Sequence, residues 1–314
     1  MSGPAWPLFG HEGAETAFLE AHASGRLHHG WLIEGPSGLG KATLARRIAA
    51  FLLGARGPAR APLDAPAEDP VVQKVMAEAH PDLKWLCRRP DEKGKLPQDI
   101  RVETVRELLH FFELRPALGG WRIGVIDSHD ELNRFGANAL LKTLEEPPAH
   151  CLLVLVCHGR VPVLPTIRSR CRRLRLSRLD EASLKRVLEH HDVQDGDAVT
   201  ALADGRPGHG LAMADPGAMK AAEAGRALLQ GLPRPDAGRV DAAIRNASAS
   251  EPAFDAFTGT LLKHAREAAE AAPETAETWL EISRTLSQAR ELAMDRAQTV
   301  AKLVAGLQKS PISR

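Results

Sequence analysis

Gly35-Pro-Ser-Gly-Leu-Gly40-Lys41 decides the fold of this chain. It fills the first seven positions of the phosphate-loop pattern G-x-x-x-x-G-K-[S/T], whose backbone N–H groups turn inward toward phosphate oxygens. Gly35, Gly38 and Gly40 permit that curl, and the dipole of a following helix adds to the charge of the Lys41 ammonium. The context fits. His29-Gly-Trp-Leu-Ile33 reads as a short strand before the loop, and residues 42–53 read as a helix after it. The eighth position departs from the pattern: Ala42 stands where Ser or Thr would ligate Mg²⁺ on the β- and γ-phosphates. Thr43 is turned by about 100° around the helix and is a poor substitute. Weak binding of ATP or ADP through the loop and Lys41 stays open, as does a vestigial loop that remains empty. Efficient hydrolysis is not expected.

Outward from the loop, strand-like and helix-like stretches alternate. Residues 54–70, rich in Pro, Ala and Gly, read as a loop, 71–79 as a helix, 82–87 as a strand and 91–98 as a polar turn. Apolar residues at 102, 105, 108, 109 and 112 have helical spacing. Trp121-Arg-Ile-Gly-Val-Ile126 and Cys151-Leu-Leu-Val-Leu-Val-Cys157 are continuous apolar runs, as strands covered on both faces would be. Between them, residues 137–144 read as a helix that Pro147-Pro148 stops. This alternation predicts an α/β unit with a parallel sheet over residues 1–178. After Leu176 the strand signals end. Three short helices at 181–190, 198–203 and 208–214 suggest a small lid-like helical domain over 179–218. Residues 219–314 read as an all-α domain with breaks near Pro233-Arg-Pro235 and Pro273, and 275–308 as two helices or one long one.

Composition narrows the function classes. A length of 314 residues allows two or three domains. Lys and Arg number 41 against 40 Asp and Glu, so no global field draws the chain to DNA or membrane. Tyr is absent and aromatics are 4%, which leaves the core to aliphatic residues and Ala. No apolar run approaches the roughly 20 residues of a membrane span, and residues 1–10 lack a secretory layout, so the cytoplasm is expected. Cys87, Cys151, Cys157 and Cys171 form no Cys-x-x-Cys pair, which argues against a disulfide framework or a Cys-only zinc site.

A second acidic element supports the doubt about hydrolysis. Val125-Ile-Asp127-Ser-His-Asp130 ends a strand where a nucleotide-hydrolysing enzyme keeps the acids that hold Mg²⁺ and activate water. Here Asp127 is followed by Ser128, so no carboxylate occupies the water-activating position. Asp127 at a metal's second shell, or as a plain strand-end cap, are the readings left.

Asn138-Ala-Leu-Leu-Lys-Thr-Leu-Glu-Glu-Pro-Pro148, followed by Thr166-Ile-Arg-Ser-Arg170-Cys171, closely resembles the clamp-loader subunits of bacterial DNA polymerase III. The resemblance covers most of residues 8–215 and implies an AAA+ P-loop domain, a helical lid and a C-terminal helical collar. Two members of the group fit, the ATP-hydrolysing tau/gamma type and the delta-prime type. The defects at Ala42 and Ser128, the length and His80-Pro-Asp-Leu83 favour the latter. Many members carry a four-Cys zinc module where residues 54–70 contain no Cys, so no zinc is expected here.

The resemblance also implies roles. The Arg of Ser-Arg-Cys, here Arg170, reaches the phosphates bound by a neighbouring subunit, a task for which a planar, permanent cation is suited. The alternative is an ordinary pairing of Arg170 with a nearby carboxylate. The basic run Arg168, Arg170, Arg172, Arg173, Arg175 and Arg178 suits weak contact with the DNA backbone through Arg168, Arg172 and Arg173, or a solvated or subunit-facing surface. ATP-binding relatives sense nucleotide with an Arg near the position of His209, and a neutral His would do this weakly. The implied partners are tau/gamma and delta subunits in a hetero-pentamer, and through it the sliding clamp and primed DNA. No independent enzyme activity is expected of a polymerase-holoenzyme component of this kind. The rival readings are a competent tau/gamma-type ATPase and a stand-alone DNA-binding protein.

Overall fold

The computed structural model describes residues 5–89, 97, 99–159, 162–193, 196–213, 215–291 and 294–309. The polar turn expected at 91–98 lies outside them apart from Pro97. The described chain forms two compact units, Met1–Arg178 and Leu179–Arg314.

In the first unit the elements follow as α1 (Glu12–Ala23), β1 (Gly30–Glu34), α2 (Lys41–Leu52), α3 (Pro70–Met76), β2 (Leu83–Leu86), α4 (Val102–Glu113), β3 (Arg122–Asp127), α5 (Arg134–Glu145), β4 (Cys151–Cys157), α6 (Pro165–Arg168) and β5 (Arg172–Arg175). The strands make one sheet in the order β2-β3-β4-β1-β5, with every pair parallel. Each parallel strand needs a crossover, and the helices supply it. Side-chain alternation sorts the sheet into two cores. Trp31, Ile33, Val125, Leu152, Val154 and Val156 face α1, α2 and α3, whereas Leu32, Ile126, Leu153 and Leu155 face α4 and α5. Covering both faces explains why β4 is a seven-residue apolar run without alternation. Asn133 caps α5 by accepting the Gly136 N–H at 2.9 Å, and Asp69 caps α3 before Pro70. The α1 helix has no counterpart in the sequence reading: it buries only Ala14, Phe18 and Ala21, and small residues leave a faint periodic signal.

The second unit is helical among its described residues: α7 (Glu181–His190), α8 (Gly196–Ala203), α9 (Pro207–Ala212), α10 (Pro216–Gln230), α11 (Ala237–Ser248), α12 (Glu251–Ala271), α13 (Ala276–Glu291) and α14 (Arg296–Leu307). The stretch 275–308 is thus two helices, the second capped by Asp295, whose carboxylate accepts the Ala297 N–H. Its core sets Ala221, Ala243, Ala247 and Ala253 beside Phe257 and Leu261, so small residues let the helix backbones approach while few aromatics fill the interior.

Candidate nucleotide site and arginine loop

The loop after β1 is folded as its glycines require. Gly35, Gly38 and Gly40 have φ of +151°, +83° and +82°, a region L side chains avoid. A Cβ on Gly35 would also lie 2.4 Å from the Leu176 carbonyl oxygen. The segment before α1 braces the loop: the His11 ring donates from Nε2 to the Leu39 carbonyl at 2.9 Å, and Leu8 packs against Gly40. Burial lowers the His11 pKa, which keeps that ring neutral. Lys41 is 2% exposed, and its ammonium donates to the carbonyls of Gly35 at 2.6 Å and Pro36 at 2.5 Å. Its charge is therefore fixed inside the loop.

Asp127 ends β3 beside the loop, as its strand position requires. Burial raises the pKa of its carboxyl, while the Arg46 guanidinium, the Lys41 ammonium and the Trp85 indole pull it back down. Arg46 stands one helical turn beyond Ala42 on α2, and its guanidinium carbon lies 4.5 Å from the centroid of the Trp85 ring. Ser128 is buried and donates to Asp130 at 3.2 Å, and Asp130 accepts the His158 N–H at 2.6 Å, so the polar residues after Asp127 hold the strand end together. The residues present do not supply the usual Mg²⁺ set: Ala42 has no side-chain oxygen to offer, and the Asp127 carboxyl lies among Arg46, Lys41 and Glu131.

Arg170 follows α6 on the loop into β5. Its Nη2 lies 2.7 Å from Glu145 Oε1, and its Nη1 donates to the Thr166 carbonyl at 2.9 Å. Glu145 closes α5, so the Leu-Glu-Glu-Pro stretch and the Ser-Arg-Cys triplet meet in space. Arg170 keeps about a third of its side chain exposed (34%), so the pairing orients it without burying it.

A family model described as DNA polymerase III, delta subunit, matches residues 10–180. The chain belongs to that family. It is 41% identical over 143 residues to DNA polymerase III subunit delta' of Pseudomonas aeruginosa, a match covering 46% of this chain and 41% of that protein. Subunit delta' of Yersinia pestis is 35% identical over 150 residues, 48% of this chain and 42% of its own length. Subunit tau of Salmonella typhimurium is 30% identical over 226 residues, 66% of this chain and 32% of its own. The matches thus span less than half the length of these relatives. Among solved structures, a DNA polymerase III gamma subunit-related protein from Thermotoga maritima superposes with a TM-score of 0.51 at 16% identity, covering 95% of this chain and 99% of that one. The fold, an α/β P-loop unit with an all-α C-terminal region, is therefore shared with that structure.

The remaining residues singled out in this delta-family sequence divide. Arg173 donates from Nε to Glu34 at 2.7 Å, and Arg175 stands 3.8 Å from the same carboxylate. Arg172 lies over the Trp31 ring at 5.6 Å, and Arg168 is exposed. Of the three arginines considered for DNA, Arg173 thus has its charge offset within the chain. His209 is committed to the second unit. Arg206 can only donate, so His209 Nδ1 accepts from it at 3.2 Å and Nε2–H donates to the Asp255 carbonyl at 3.0 Å. Burial, then Arg206, pushes its pKa down to about 4, so the ring is neutral and already engaged on both sides. Among the described residues no group of three or more His, Cys, Asp or Glu is placed to hold a metal. Cys151 and Cys157 are buried, and burial raises both thiols. No described helix is long and apolar enough to cross a membrane. Three residues were not legible as site members: Arg46, Trp85 and Glu34 belong to no motif. Only their position, one turn after Ala42 or at a strand's C-terminal end, signals the site.

Proposed function

We propose that this chain acts as the delta-prime subunit of a DNA polymerase III clamp loader. It assembles with tau/gamma and delta subunits in a hetero-pentamer that places the sliding clamp on primed DNA. Within that ring it gives Arg170 to the ATP site of a neighbour and hydrolyses little or no ATP itself. Residues 179–218 serve as the lid and 219–314 as the collar, in a cytoplasmic assembly that requires no zinc. The observation that carries this reading is the pairing of a disabled loop with an intact arginine: Ala42 and Ser128 replace the metal-binding hydroxyl and water-activating acid, while Arg170 pairs with Glu145 and keeps a third of its side chain exposed. Family membership supports the setting.

A trans-acting arginine stabilises charge that builds on the transferring phosphoryl group. Glu145 pre-orients the guanidinium, and its partial exposure makes exchange for a phosphate partner inexpensive in desolvation. The test is the DNA-stimulated ATPase rate of a reconstituted loader with Arg170→Ala. A fall of about a thousandfold at the dependent site is expected from the worth of such a finger. An unchanged rate would return Arg170 to an ordinary partner of Glu145.

A further inference from the structure

Pro147-Pro148 ends α5 and also strips it of donors. In a continuing helix the carbonyls of Thr143 and Leu144 would accept the N–H groups of residues 147 and 148, and both are proline. A histidine 115 residues earlier in the chain replaces one of them: His29 Nε2–H donates to the Leu144 carbonyl at 2.9 Å. The His28 ring stacks on that imidazole with centroids 4.3 Å apart. His29 stands immediately before β1, so the last turn of α5, which carries Glu145, is fastened to the start of the strand.

The next residue seats the arginine loop. A Cβ on Gly30 would lie 2.9 Å from Leu144 Cδ2 and 3.2 Å from both the Arg170 carbonyl oxygen and Cys171 Sγ. Any side chain there would push away the end of α5 or the loop. The Arg170 backbone N–H donates to the carbonyl of buried Ile167 at 3.0 Å, which fixes the loop from its other side. The start of β1 is thus a common seat for two segments whose side chains meet, Glu145 Oε1 lying 2.7 Å from Arg170 Nη2 while Nη1 donates to the Thr166 carbonyl. With both terminal nitrogens engaged, one orientation is selected from the many that a free arginine samples. The hold is light. The Glu145 side chain is 52% exposed, and such an ion pair is weak beside the charge of a phosphate. It suits aiming the guanidinium, not withholding it.

We propose that His29 and Glu145 are positioning residues for Arg170: His29 secures the end of α5, and Glu145, placed by it, aims the guanidinium. This rests on reading Arg170 as the arginine given to a neighbour's ATP site. The test is the DNA-stimulated ATPase of the reconstituted loader, the signal being the part of the rate that Arg170→Ala removes. Glu145→Gln should lower the kcat of that part by about fivefold, the upper worth of a partly exposed charge pair, with KM changed by less than about twofold. His29→Phe, which keeps a ring but has no donor, should lower it by a similar factor, and His29→Gln, which restores a donor, should recover part of the loss. In a chain that already carries Arg170→Ala, neither Glu145→Gln nor His29→Phe should lower the rate further, because both act through that guanidinium. A further fall there would mark general damage and overturn the proposal. Wild-type kinetics from either variant would do the same, as would a rise in kcat with a fall in KM, which would make Glu145 a restraint. Glu145→Gln alters a half-exposed side chain, so it decides if thermal melting shows His29→Phe to be unfolded. An unchanged rate with Arg170→Ala would remove the neighbour-site reading and this proposal together. A fall with Arg170→Ala and none with Glu145→Gln would overturn the positioning alone.

Discussion

Arg47 shows what one buried side chain can fasten. It is 3% exposed on α2, donates from Nη1 to the Trp6 carbonyl at 2.8 Å, and pairs through Nη2 with Asp64 and with Glu15 at 2.7 Å. The contact to Glu15 is an ion pair, and burial outweighs the Arg47 charge in raising the Glu15 pKa. One guanidinium thus ties together α1, the segment before it and the Cys-free loop 54–70. Removing one partner of a buried ion pair leaves uncompensated charge and typically costs about 3–5 kcal/mol. Arg47→Ala should lower the free energy of unfolding by that order in denaturant titration. A loss below about 1 kcal/mol would mean that the cluster only breaks even against water. Arg46, its neighbour in sequence, lies over the Trp85 ring instead. Residues one apart on a helix do not share a face, so the two arginines serve different tasks.

At the scale of elements, α9 and α12 are joined by His209, and the join is sensitive to acid. A Cβ on Gly259 would lie 2.2 Å from the His209 ring, so α12 carries Gly where the imidazole enters. Asp204, 8% exposed in its side chain, accepts from Arg266 of α12 at 2.6 Å and stands 3.9 Å from Arg206, which in turn faces His209. In the folded unit the His209 ring stays neutral down to about pH 4, whereas an unfolded chain takes up the proton near 6.5. Between those values the unfolded state binds more protons, so stability falls as the pH drops. The gap corresponds to about 3 kcal/mol by pH 4. Wild type should lose that much more stability than His209→Gln between pH 7 and pH 4 in guanidinium titrations at each pH, and parallel losses would remove His209 as the cause. How much of these elements was legible follows from how they are covered. β4 and α7 were read with their observed ends, because one is an unbroken apolar run and the other is opened by Asp180 before a periodic stretch. The split of α11 from α12 was missed although Ser250 and Pro252 mark a helix start. Within the site, the loop and Asp127 were legible because their spacing is local. Arg46 was not, since its meaning depends on Trp85, brought beside it only by strand pairing.

For the whole molecule, the division at residue 178 carries a physical expectation. In the first unit both faces of the sheet are covered by helices of that same unit, and all five strands find their partners within it. The second unit has its own Ala-rich core built from α10 to α14. A segment of this size with a complete sheet and two cores satisfies what independent folding requires. The fragment 1–178 should therefore unfold cooperatively on heating, with a sharp near-UV signal, and so should 179–314. A fragment that aggregates or melts without a transition would show that the two cores depend on one another. The loop, Asp127, Arg46 and Trp85 all lie before residue 178, and the family match ends at 180. If nucleotide is held by the loop alone, fragment 1–178 should bind a fluorescent ADP analogue within about threefold of the full chain. A larger loss would assign part of the affinity to the helical unit, and with it a closing role for residues beyond 178.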